Sequence, residues 1–86
     1  MYQVRILDAA IRDLKRLDKP VARRIVQRID WMAENFDALP HQRLTGDLSD
    51  FYKLRVGAYR VFYQVIEDES LILIHQIGHR REIYRR

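Results

Sequence analysis

Residues 51–66, FYKLRVGAYRVFYQVI, hold Lys53, Arg55 and Arg60 with no acidic side chain, and residues 78–86 hold four arginines against the acid Glu82. Such side chains bind phosphate-like anions: a guanidinium stays charged and offers a planar fork of donors, whereas an ammonium acts as a point charge. His79 and Tyr84 stand among the closing arginines. Imidazoles titrate near neutrality, and a phenol serves as a base there only in a strongly cationic setting. The set therefore suits gripping an anion and moving a proton beside it. No three residues have metal-ligand spacing and cysteine is absent, so no metal or other cofactor is expected and thiolate chemistry is excluded.

Spacing decides which of these groups can meet. Gly57-Ala58 is a glycine-first pair suited to a type II′ hairpin turn, flanked on both sides by residues alternating with period two. That loop sets Val56 opposite Tyr59, Arg55 opposite Arg60 and Lys53 opposite Phe62. Lys53, Arg55 and Arg60 then project from one face, and Leu54, Val56, Val61 and Tyr63 from the other. One face is core and the other cationic. Like charges directly opposite each other destabilise a strand pair, so the Arg55–Arg60 pairing points to an anion, although solvated basic side chains on an outer sheet face are common. An unbroken register through a tight turn at Asp68-Glu69 would set Arg60 opposite Ile77. Gly78, His79, Arg80 and Tyr84 would then lie beside the cationic face.

The elements that position these residues follow from periodicity. Residues 2–7 read as a first strand, and Asp8 as the N-cap of a helix whose apolar face is Ala10, Ile11, Leu14 and Leu17. Asp18-Lys19-Pro20 begins a second helix striped by Val21, Ile25, Ile29, Met32 and Phe36. Trp31 falls off that stripe beside Arg24 and Arg28, where it either meets a partner or packs against the first helix. Residues 35–50, with Pro40, Gly46 and several turn formers, read as a connection. LILIHQI is the last strand, before a basic tail. His75 within it and His41 in the connection read as structural. The order is β-α-α-β-β-β: an α+β fold with two N-terminal helices on a mainly antiparallel sheet, spanning residues 1–86 as one domain.

Composition supports a folded chain. Of 86 residues 48% are hydrophobic, with only 3 Gly and 2 Pro, which argues against disorder. A net charge of +4 favours an anionic partner such as nucleic acid or an acidic protein. The N-terminus lacks a signal-peptide pattern and no apolar run reaches the roughly 20 residues that span a bilayer. A cytoplasmic protein without membrane attachment is expected.

The run LTGDLSDFYKLRVGAYRVFYQV followed by IGHRREIY resembles the RelE/ParE superfamily of bacterial toxins. The resemblance extends to the early DAAIRDLKRL helix and covers nearly the whole chain. It implies a RelE-like, microbial-ribonuclease-type fold and a toxin neutralised by a cognate antitoxin in a hetero-oligomer. RelE-like members cut messenger RNA in the ribosomal A site. By resemblance to them, Lys53, Arg55, Arg60, Arg80 and Tyr84 form the catalytic set, with His79 and Arg81 as further RNA contacts. Some RelE proteins carry lysine where this chain has Arg55, which argues against giving that position a proton-transfer role. ParE-like members share the fold, poison DNA gyrase and generally lack this set. Two alternatives therefore remain beside the endoribonuclease: a gyrase inhibitor, and an inactive module that binds nucleic acid or an antitoxin.

Overall fold

Strand β1 (Gln3–Ile6) leads into helices α1 (Asp8–Lys15) and α2 (Lys19–Glu34), followed by the short strand β2 (Gln42–Arg43) and strands β3 (Tyr52–Val56), β4 (Tyr59–Ile66) and β5 (Leu71–His79). The computed structural model describes residues 1–85; Arg86, one of the four closing arginines, lies outside the described residues. The strands form one sheet in the order β1-β5-β4-β3-β2. β1 runs parallel to β5, and the other neighbours are antiparallel. This is the expected α+β arrangement with one strand more. Residues 35–50 are not purely a connection, because β2 pairs Gln42 with Lys53 and Arg43 with Tyr52. Two exposed residues give no alternation for a sequence reading to detect.

The helices bury their stripes against the sheet. Ala10 of α1 and Ile25, Ile29 and Met32 of α2 meet Val61, Tyr63, Ile72 and Ile74 in the main core. Helix α1 begins at Asp8 and is capped by the Leu7 backbone, not by the Asp8 side chain. Leu7 is still tied to the sheet through its N–H to the Ile74 carbonyl, 3.0 Å, while its carbonyl receives the Ile11 N–H at 2.9 Å. Asp8 thus sits in the first turn, where its charge suits the helix dipole. Ile11, expected on the apolar face, is exposed, and the buried residue one turn after Ala10 is Asp13. Its Oδ2 accepts the Ile77 N–H at 2.9 Å. β1 accompanies β5 only as far as Ile6 and Ile74, so Asp13 supplies an acceptor where a strand partner has ended.

A bulge in β5 governs what each face carries. Tyr63 pairs with Ile74, but Phe62 pairs with Gln76, leaving His75 as the extra residue. Ile74 and Ile77, three apart, are therefore both buried against the helices. The unbroken register is thus corrected: Arg60 lies opposite Gly78, and Val61 opposite Ile77. His75 Nε2 and Gln64 Oε1 are 2.7 Å apart, and Phe51 meets the His75 ring edge-on. His41 is a structural tie, with Nε2 to the Phe36 carbonyl at 2.7 Å and Nδ1 to the Tyr63 hydroxyl at 2.8 Å. A carbonyl only accepts, so Nε2 carries the proton and the Tyr63 hydroxyl donates to Nδ1. Burial pushes the Tyr63 phenol pKa up, which keeps that donor protonated. No described helix is long and apolar enough to cross a membrane.

Two measurements check this frame. Asp13→Ala strands the Ile77 amide and should cost about 1.5–3 kcal/mol in denaturant unfolding. Asp13→Asn keeps an acceptor and should cost less; equal losses would show that the hydrogen bond contributes little. Burial lowers the His75 pKa below the usual 6.5, so between the two values the unfolded chain binds more protons. The resulting stability is full above pH 6.5 and lost as pH falls. His75→Gln should flatten this loss between about pH 7.5 and pH 5.5.

Candidate functional site

The hairpin forms with the expected register: Val56 opposite Tyr59, Arg55 opposite Arg60 and Lys53 opposite Phe62. Gly57 takes φ +59° while Ala58 does not take positive φ, as a glycine-first turn requires. Lys53, Arg55 and Arg60 thus share the face away from the helices. Arg60 does not simply confront Arg55. Its Nη1 donates to the carbonyls of Gly57 at 2.9 Å and Tyr59 at 2.8 Å, folding the guanidinium over the turn. Two carbonyl dipoles offset part of the like-charge cost and fix the direction of the fork.

The cationic face has an apolar centre that alternation alone does not announce. Phe62, opposite Lys53, is only 5% exposed, because Leu44 and Ile83 close over it with Phe51 alongside. Ile83, 2% exposed, opens a 3-10 turn, Ile83–Arg85, that brings the tail back over the sheet. Tyr84 follows, 49% exposed, with its ring 5.4 Å from that of Phe62. Lys53 Nζ donates to the Tyr84 hydroxyl at 3.3 Å. A cation thus stands at the oxygen that a phenolate would charge. A recess of about 130 Å³ beside Tyr84 is walled by Phe51, Phe62, His75 and Gln76.

Beyond β5 the chain stays fastened to the hairpin, as the Arg80 N–H donates to the Ala58 carbonyl at 2.8 Å. Arg80 is exposed beside the turn that holds Arg60. His79 lies elsewhere. It pairs with Tyr59 and meets that ring edge-on at 5.6 Å, on the face turned to the helices. The bulge at His75 is the cause, since one extra residue moves every later side chain to the other face. Gly78 takes the place opposite Arg60. Arg81 is exposed, its N–H donating to His79 Nδ1 at 3.2 Å. Lys53, Arg55, Arg60 and Tyr84 therefore come together with Arg80 at their edge, and His79 does not. Among the described residues, no three His, Cys, Asp or Glu side chains converge as metal ligands.

The profile of the ParE toxin of type II toxin-antitoxin systems, parDE, matches residues 4–84. The chain belongs to the RelE/ParE superfamily of type II toxins. A RelE-like toxin protein of Escherichia coli is 30% identical over 81 residues, covering 92% of this chain and 83% of that protein. Toxin RelG of Mycobacterium tuberculosis is 27% identical over 85 residues, covering 99% and 98%. The fold agrees with solved members of the superfamily. The RelBE2 toxin-antitoxin complex of M. tuberculosis superposes with a TM-score of 0.81 at 23% identity, over 91% of this chain and 96% of that one. Isolated E. coli RelE gives 0.73 at 23% identity over 99% and 93%. The RelE-RelB complex of Pyrococcus horikoshii gives 0.69 at 28% identity over 94% and 97%. This superfamily member carries its cations on a sheet face that a docked tail completes.

Ile83→Ala should release that tail while the sheet persists. Amide exchange at Arg85, whose N–H is held by the Glu82 carbonyl at 3.0 Å, should accelerate at least about tenfold with β4 and β5 still protected. Unchanged exchange would mean that Ile83 does not anchor the turn.

Proposed function

We propose that this toxin is a ribosome-dependent endoribonuclease that cuts messenger RNA in the A site and halts translation. The observation that carries this reading is the meeting of Lys53, Arg55 and Arg60 on one face with Tyr84, whose hydroxyl lies 3.3 Å from the Lys53 ammonium. Cleavage takes the 2′-hydroxyl proton, joins the 2′ oxygen to phosphorus as a cyclic phosphate, and protonates the departing 5′ oxygen. Arg55 and Arg60 bind the phosphoryl oxygens, where negative charge grows. Tyr84 as its phenolate, or Lys53 as its neutral amine, receives the 2′ proton, and Arg80 assists the leaving group. The cluster is densely cationic and would repel a divalent ion, so the mechanism is metal-free. Arg81 lies where a longer RNA strand would pass, and the bulge leaves His79 without direct contact. Three or four cations hold free RNA weakly, so the ribosome supplies much of the positioning.

The protein acts in the cytoplasm and is held silent by a cognate antitoxin in a hetero-oligomer, as the solved RelBE2 and RelE-RelB complexes support. Acidic and apolar antitoxin groups would cover the cationic face or displace the tail. One observation favours a second reading: the matching profile is that of ParE toxins, so gyrase inhibition on the same scaffold is the alternative. In vitro translation with mapped message ends, beside a gyrase supercoiling assay, separates the two. Cut A-site codons with unaffected supercoiling are expected, and the reverse would favour the gyrase reading.

Arg60→Ala should lower cleavage by about tenfold to a hundredfold, or roughly 1.4 to 2.7 kcal/mol of transition-state stabilisation. Arg60→Lys should recover part of it, since a point charge cannot grip two oxygens. The hydrogen bonds to the turn and the relieved repulsion with Arg55 oppose each other, so stability should move by less than about 1 kcal/mol. Folded Arg60→Ala that cuts at the wild-type rate would remove the cationic face from the mechanism. Cleavage should persist in EDTA when ribosome integrity is separately maintained.

A further inference from the structure

A groove of about 450 Å³ lies between α2 and the end of the β3–β4 hairpin. Arg24, Gln27, Arg28 and Trp31 line one side, at helical spacings that put them on a shared face; Arg55 and the Gly57 backbone line the other. Trp31 turns part of its ring into this groove. It stays 39% exposed, with the Arg28 guanidinium 4.3 Å from its ring centroid. Arg24 Nη2 comes within 3.8 Å of where a side chain on Gly57 would begin, which places this arginine against the hairpin turn. None of the lining residues is acidic.

We propose that this groove holds one nucleotide of single-stranded RNA, its base against Trp31 and Arg28 and its phosphate between Arg24 and Arg55. This rests on the endoribonuclease reading and extends it, because Arg55 belongs to both the groove and the cationic face. A strand seated here leads directly to the scissile phosphate. Planar aromatic and guanidinium surfaces take a base of any sequence, and the flanking cations take its phosphate. An acidic peptide would use the cations and leave the indole–guanidinium platform idle.

Trp31 is the chain's one tryptophan, so its fluorescence reports this groove. The probe is a mixed-sequence hexamer of 2′-O-methyl RNA, which has no 2′-hydroxyl to attack with, titrated into the intact toxin at about 50 mM salt. Saturable Trp31 quenching is expected, coinciding with the anisotropy rise of an end-labelled hexamer. Arg24→Ala, which leaves the Arg28–Trp31 pair in place, should weaken binding about tenfold. It should also lower the slope of log affinity against log salt by about 0.7, one phosphate contact. Hexamer binding with silent Trp31 emission would overturn the proposal, as would no binding at all. Equal quenching by tripolyphosphate would reduce the groove to a simple anion site. A response only to an acidic peptide would assign it to a protein partner. Because the probe cannot be cut, the two readings fail separately: quenching by a toxin that cuts no message removes only the nuclease, and cutting with silent Trp31 removes only the groove.

Discussion

Ile83 and Phe62 are apolar side chains on the face of the sheet that carries the cations, and each hides the other from water. Full burial of one such side chain contributes about 1.5–3 kcal/mol, whereas each ordered tail residue costs about 1–2 kcal/mol of backbone entropy. The Leu44–Phe62–Ile83 cluster therefore holds the turn with little margin. Without it Tyr84 would be tethered but not placed, and Lys53 would face solvent. The Lys53–Tyr84 contact thus depends on a small second core on the far side of the sheet from the main one.

The main core sets the terms on which this is possible. β5 must face the helices with Ile72, Ile74 and Ile77 and still end beside the hairpin turn, and a regular strand would turn Ile77 outward. The bulge at His75 resolves this, and Asp13 accepts the amide left beyond the end of β1. The same irregularity puts a glycine opposite Arg60 and sends His79 to the helix side. The absence of a side chain opposite Arg60 is thus a consequence of packing on the other face.

These contrasts explain what could be read from the chain and what could not. A two-residue loop at Gly57-Ala58 leaves the hairpin a single register, so the shared face of Lys53, Arg55 and Arg60 was legible. The helices declared themselves by their stripes. The bulge had one faint signal, apolar Ile74 and Ile77 separated by two polar residues, which breaks a period of two. Phe62 gave none, because its burial depends on Ile83, twenty-one positions away, folding back over it. Asp13 was hidden for a similar reason: a carboxylate on a helix reads as a solvated side chain until a distant amide points at it.

If the small core acts on chemistry only by placing Tyr84, its contribution and that of the Tyr84 hydroxyl are not independent. A double-mutant cycle of Phe62→Ala and Tyr84→Phe on single-turnover message cleavage tests this directly. The single changes should each slow cleavage at least about tenfold, and the double variant should be scarcely slower than Tyr84→Phe alone. Fully additive losses would contradict the account, since they would mean that the apolar cluster supports the reaction by some route other than the placement of Tyr84.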